Sequence, residues 1–107
     1  MEYIGRIEND KKLHINETGI AIFGAGKELE KLLDKLEQMH VKNKVICVCD
    51  NNLEKQGREV KGIKIVSPGY AFRCYGSAAY IVYNRFSMEI CRQLAAQGIN
   101  KIHLIRN

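Results

Sequence analysis

The sequence predicts an α/β fold of the Rossmann type: three layers around a mainly parallel five-stranded sheet. Three observations carry that expectation. Short apolar runs recur at 19–23, 45–49 and 79–83, with a fourth at 63–66 interrupted by Lys64; the first is continuous, as a strand covered on both faces requires. Between the first two runs, Leu29, Leu32, Leu33, Leu36 and Met39 fall on one helical face. Where the first run meets that helix stands Gly24-Ala25-Gly26, and a glycine pair is informative in that strand-to-helix setting.

The elements follow in order. Residues 1–17 read as an N-terminal extension in which Tyr3, Ile4 and Ile7 could dock either a short helix or a strand; residues 18–107 read as the domain. The helix after the glycines has a charged outer face with i,i+3 pairs such as Glu28–Lys31 and Lys31–Asp34. The second strand ends at Asp50, and together these elements make a βαβ unit, right-handed in about 98% of cases. From Asn51 to Gly62 the chain is polar and offers at most one turn of helix before the third strand. Ser67-Pro68 then starts a short helix to about Cys74, with proline suited to its first position. After the fourth strand, Phe86, Ile90 and Leu94 mark a helix to about Gln97, and Gly98 before Ile99 fits a left-handed stop. Residues 101–105 alternate, which suits an edge strand. The succession β-α-β-β-α-β-α-β predicts the strand order 3-2-1-4-5.

Composition narrows the function classes. At 107 residues the chain is one domain. Its net charge is +5, but the lysines and arginines are scattered, with no run longer than Lys11-Lys12 and no interleaved aromatics. That argues against nucleic acid and for an attraction to small anions. No stretch has the length of a membrane span or the form of a signal peptide, so a cytoplasmic location is expected. Cys47, Cys49, Cys74 and Cys91 lack metal-site spacing and read as core filler. His14, His40 and His103 are dispersed, and no catalytic residues or metal ligands are assigned.

The candidate binding residues gather at strand ends. Gly24 permits a tight turn, and Gly26 lets helix N-terminal amides approach a phosphate. Ala25 lies between them, and Lys27 could add a charge contact. The third glycine of GxGxxG is replaced by Leu29, which suggests a helix set further from the sheet; without a ligand the turn would be structural. Asp50 lies 24 residues beyond Gly26 (50 − 26 = 24), near the offset of a ribose-binding acid. It is read equally well as the start of a turn through Asn51 and Asn52. Asn84 and Arg85 follow the fourth strand and face the glycine turn across the crevice; Arg85 could pair with phosphate and Asn84 with a base or sugar, although Asn84 or Ser87 also suits a helix cap.

The runs Ile20-Ala21-Ile22-Phe23-Gly24-Ala25-Gly26, Cys49-Asp50-Asn51-Asn52 with Gly57 and Gly62, and Ile65-Val66-Ser67-Pro68 resemble a bacterial family of small Rossmann-like domains. These accompany nucleotide-sugar dehydratases, sugar acetyltransferases and FkbM-type or C-methyltransferases. The resemblance covers residues 18–105 and implies a nucleotide, nucleotide-sugar or dinucleotide ligand, with Gly24, Gly26 and Asp50 at nucleotide-contact positions. The expected function is a module that binds a nucleotide or nucleotide sugar, with NAD a candidate, accessory to a fused or separate sugar-modifying enzyme. The alternatives are a fragment of an NAD(P)-dependent sugar oxidoreductase or of an S-adenosylmethionine methyltransferase, although Glu28 stands where the usual methyltransferase motif has glycine. Self-association is compatible with either reading.

Overall fold

The computed structural model describes residues 2–5, 19–83 and 87–105. Its strands are β1 (Glu2–Gly5), β2 (Ile20–Phe23), β3 (Val45–Cys49), β4 (Glu59–Val60), β5 (Ile63–Val66), β6 (Ala79–Val82) and β7 (Ile102–Ile105). Its α-helices are α1 (Leu29–Gln38), α2 (Pro68–Cys74) and α3 (Ser87–Ala96), and a 3-10 turn spans Lys42–Lys44. The strands form one sheet in the order β1-β7-β6-β2-β3-β5-β4.

The five expected strands lie side by side inside this sheet as β5-β3-β2-β6-β7, all parallel. The count of five is corrected to seven, and the full order is correspondingly longer. Residues 2–5, within the expected extension, pair in parallel with β7 as β1. The polar stretch before β5 folds back on it as the antiparallel β4. Hence 102–105 is not an edge: β7 is paired on both sides, by β6 and β1. Neither added strand is long or alternating, so neither carries a periodic signal.

Period-two alternation divides the sheet residues between two cores. Ile20, Ile22, Val48, Ile65, Ile81 and Tyr83 face α1, which contributes Leu29, Leu32, Leu33 and Leu36. Ala21, Phe23, Cys47, Cys49, Tyr80 and Val82 face the other way, against Ala71 of α2 and Ile90, Cys91 and Leu94 of α3. The expected three layers result. Leu29, at the absent third glycine, is 3% exposed and fills the space between helix and sheet.

Cys47, Cys49 and Cys91 are buried as core filler, but Cys74 is exposed on the last turn of α2 and must be withdrawn from that group. Burial pushes the Cys47 thiol up to about 12 and the Cys49 thiol still higher, so both stay protonated and inert at neutral pH. On α1, Glu28 does meet Lys31, at 3.9 Å, but Asp34 pairs with Lys61 of the β4–β5 turn instead of with Lys31.

The helix ends follow local rules. The Ser67 Oγ accepts the Tyr70 N–H at 3.1 Å and caps α2 ahead of Pro68. At the end of α3, Gly98 has φ +78°; its N–H donates to the Ala95 carbonyl, and that of Ile99 to the Leu94 carbonyl. This is a Schellman stop. No helix among the described residues is long and apolar enough to cross a membrane.

Candidate functional site

The topology reverses between β2 and β6, and the carboxyl ends of strands at such a switch point are where open α/β sheets bind ligands. The β2–α1 turn is built there peptide by peptide. Gly24 leaves the sheet with φ +122°, a backbone region that side-chain-bearing residues rarely enter. Its N–H donates to the Cys49 carbonyl at 2.8 Å, extending the β2–β3 ladder by one residue. Its carbonyl accepts the Tyr83 hydroxyl at 2.9 Å, while the Ala25 N–H donates to Asp50 Oδ2 at 2.7 Å. The Ala25 carbonyl accepts the Lys55 ammonium at 3.0 Å. The Gly26 carbonyl accepts the Leu29 N–H at 3.1 Å, and α1 begins.

Three consecutive peptides are therefore held by groups outside the turn. What they leave uncommitted matters more for binding. The N–H groups of Lys27 and Glu28 have no acceptor among the described residues, as the first turn of a helix leads one to expect. The Glu28 side chain makes no cap, and residues 26–28 are exposed. Gly26 differs from Gly24. Its φ lies outside the left-handed region, and a Cβ built on it would meet nothing within 4 Å. Neither backbone conformation nor internal packing demands a glycine at 26.

Asp50 is half-buried and engaged twice. Besides the Ala25 N–H at Oδ2, its Oδ1 accepts the Asn52 N–H at 2.8 Å, closing an Asx turn. The carboxylate thus ties the glycine turn to the loop after β3. That loop is braced further: Asn52 Oδ1 accepts the Glu54 N–H at 2.9 Å, Gln56 Nε2 donates to the Asp50 carbonyl at 2.9 Å, and the Gly57 N–H donates to the Ile65 carbonyl at 2.7 Å.

Tyr83 is 6% exposed. Burial pushes its phenol well above the ordinary value, opposed in part by the Gly26 N–H facing its oxygen. It therefore remains a hydrogen-bond donor at neutral pH.

The structure brings Gly24, Ala25, Gly26, Lys27 and Asp50 together. Asn51 turns elsewhere: its side-chain amide forms a reciprocal pair with Gln93 of α3, at 3.2 and 3.1 Å. Asn84 and Arg85 lie outside the described residues. Two participants were missed by sequence reasoning. Tyr83 was readable in principle, because it shares the α1-facing alternation of Ile81 and ends a strand expected beside β2. Lys55 had no signal, since its reach depends on how the loop folds. Among the described residues, no group of three or more His, Cys, Asp or Glu gathers to hold a metal ion.

The family model described as C2185-like, N-terminal matches residues 16–105. Among solved structures, the chain is similar to UDP-D-quinovosamine 4-dehydrogenase from Vibrio fischeri, with a TM-score of 0.62 and 20% identity. That match covers 83% of this chain and 78% of the other, and at such identity it shows a shared fold alone. Among curated proteins, none matches the chain in sequence.

Proposed function

The chain belongs to the C2185-like, N-terminal family, and from that premise we propose that it is a binding module for a nucleotide or nucleotide sugar, NAD among the candidates, seated on the 24–28 turn. The observation that carries this reading is Gly26. A glycine that neither φ nor packing requires stands beside two uncommitted N–H groups, at the start of a ten-residue helix. An open space next to donors and the positive end of a helix dipole suits a phosphate. Lys27 adds charge there. The motif resemblance to domains that accompany sugar-modifying enzymes favours a nucleotide sugar, and the UDP-sugar dehydrogenase fold is in keeping with it. An N-terminal family unit also suits an accessory role beside an enzymatic partner.

A thermal-shift panel tests the reading. A ligand that binds only the native state at a hundredfold excess over Kd adds about 2.7 kcal/mol. Each kcal/mol raises Tm by about 4–8 °C in a domain of this size, so a true ligand should move it by on the order of ten degrees. UDP-sugars and NAD(H) should shift Tm most, free phosphate and S-adenosylmethionine least. Gly26→Val should remove the shift while leaving unliganded unfolding cooperative. Equal shifts in both proteins would refute the assignment, and a response to S-adenosylmethionine alone would move the chain to the methyltransferase reading.

A further inference from the structure

Resting on that reading, we propose that the site selects its ligand by phosphate and not by ribose: Lys55 is the cation that meets the phosphate, and Asp50 serves the turn instead of the sugar. A carboxylate that grips a vicinal diol needs both oxygens turned towards the two hydroxyls. Each Asp50 oxygen already accepts one backbone N–H, at 2.7 and 2.8 Å, and these two bonds fix how the carboxylate is turned. These are charge-assisted bonds, roughly twice as strong as neutral ones. Turning the carboxylate to a ribose would exchange them for bonds to neutral hydroxyls and leave the Ala25 and Asn52 donors unmatched. The acid at the ribose position is therefore a positioning residue.

Lys55 has the complementary properties. Its ammonium carries three donors, one of which goes to the Ala25 carbonyl at 3.0 Å; no second acceptor for it occurs among the described residues. The side chain is half-buried, and its backbone is fixed on both sides, its N–H donating to the Asn52 carbonyl and its carbonyl accepting from Arg58. Successive turns from Asp50 to Asn52 to Glu54 lead into that position. A braced loop thus delivers a cation to the peptide that directly precedes Gly26. Phosphate seated on the Lys27 and Glu28 amides would lie within two residues of the Ala25 carbonyl that already holds this ammonium. The ligand class is then the phosphate or diphosphate group of a nucleotide or nucleotide sugar, with little energetic contribution from the 2′ and 3′ hydroxyls.

Calorimetric titration of the full chain with UDP, 2′,3′-dideoxy-UDP, ADP and pyrophosphate tests both halves. UDP and its dideoxy form should bind within about twofold of each other. Lys55→Met should weaken both by on the order of tenfold or more, the worth of one hydrogen bond to a charged group, and Lys55→Arg should recover most of the loss. Asp50→Asn should lower Tm without changing the ratio of UDP to dideoxy-UDP affinity. A wild-type preference for UDP of tenfold or more would overturn the proposal while leaving the glycine-turn reading intact, and this comparison requires no variant to fold. Unaltered affinity in Lys55→Met would also overturn it. If UDP, ADP and pyrophosphate all fail to bind wild-type protein, the underlying reading fails and the proposal falls with it.

Discussion

At the carboxyl edge of the sheet, the β2–α1 turn is held by residues 25, 30 and 59 positions away in sequence. At the amino edge, α1 ends without outside help. There the His40 N–H donates to the Glu37 carbonyl at 3.0 Å and the Val41 N–H to the Leu36 carbonyl at 2.9 Å, a Schellman motif closed within six residues. His40 occupies its left-handed position at φ +62°, where glycine is the ordinary choice. Lys61 does the same in the nearby β4–β5 turn, at φ +49°. One edge imports its constraints from two other segments, the loop after β3 and the end of β6, and leaves donors unspent. The other satisfies its backbone locally and tolerates strain that a glycine would relieve. On the proposed reading, long-range bracing marks the edge where fixed peptide geometry would serve a ligand, because amides already aimed need no reordering when it arrives.

Removing the brace should have the largest effect. Asp50→Ala leaves the Ala25 and Asn52 N–H groups without their acceptor, and hydrogen bonds to a charged group are worth about 1.5–3 kcal/mol each. With partial exposure, a loss of about 2–3 kcal/mol is expected in denaturant unfolding. A change below about 1 kcal/mol would mean that the loop holds the turn without Asp50.

Tyr83→Phe removes one hydrogen bond and should cost about 1 kcal/mol. Its pH dependence sharpens the contrast. The folded phenol has a pKa raised above the ordinary value of 10.0, so the folded state holds this proton more tightly than the unfolded chain does. The stability it contributes is complete below pH 10 and is lost as pH rises towards the raised folded value. Wild type and Tyr83→Phe should therefore converge in stability at alkaline pH. A gap that is constant from pH 8 to about 11 would contradict the tyrosine's placement.

At the amino edge the sign reverses and the effect is smallest. His40→Gly relieves a left-handed residue but adds freedom to the unfolded chain, for a net gain of about 0.5 kcal/mol. It should leave ligand affinity unchanged. Loss of stability in this variant would show that the imidazole makes a contribution outweighing its strain.

Several parts of the site and fold were legible because their signal is local. The α1 stripe of Leu29, Leu32, Leu33 and Leu36, the Ser67 cap and the Gly98 stop each depend on residues within a few positions. Gly24 and Gly26 were recognisable from their place between an apolar run and a periodic helix. Asp50 was found by its spacing, and its turn-forming alternative was also visible. That it reaches back to Ala25 was not, because a hydrogen bond across 25 residues has no periodicity. Asn51 was picked by adjacency to Asp50, yet its partner Gln93 lies 42 positions away. Cys74 resembles the other cysteines in composition, and only the orientation of α2 exposes it.

By itself the sequence determined the class of fold, the adjacency of the five inner strands and the existence of a glycine turn, since these follow from apolar periodicity and punctuation acting over a few residues. The tertiary structure alone decided that β1 and β4 complete the sheet, that Tyr83 and Lys55 meet the turn, and that Asp50 spends both oxygens on the backbone. Those outcomes depend on which segments close the sheet and which polar groups burial leaves to be matched. Hydrogen-bond partners of that kind are chosen by proximity in space, once packing has brought distant residues together.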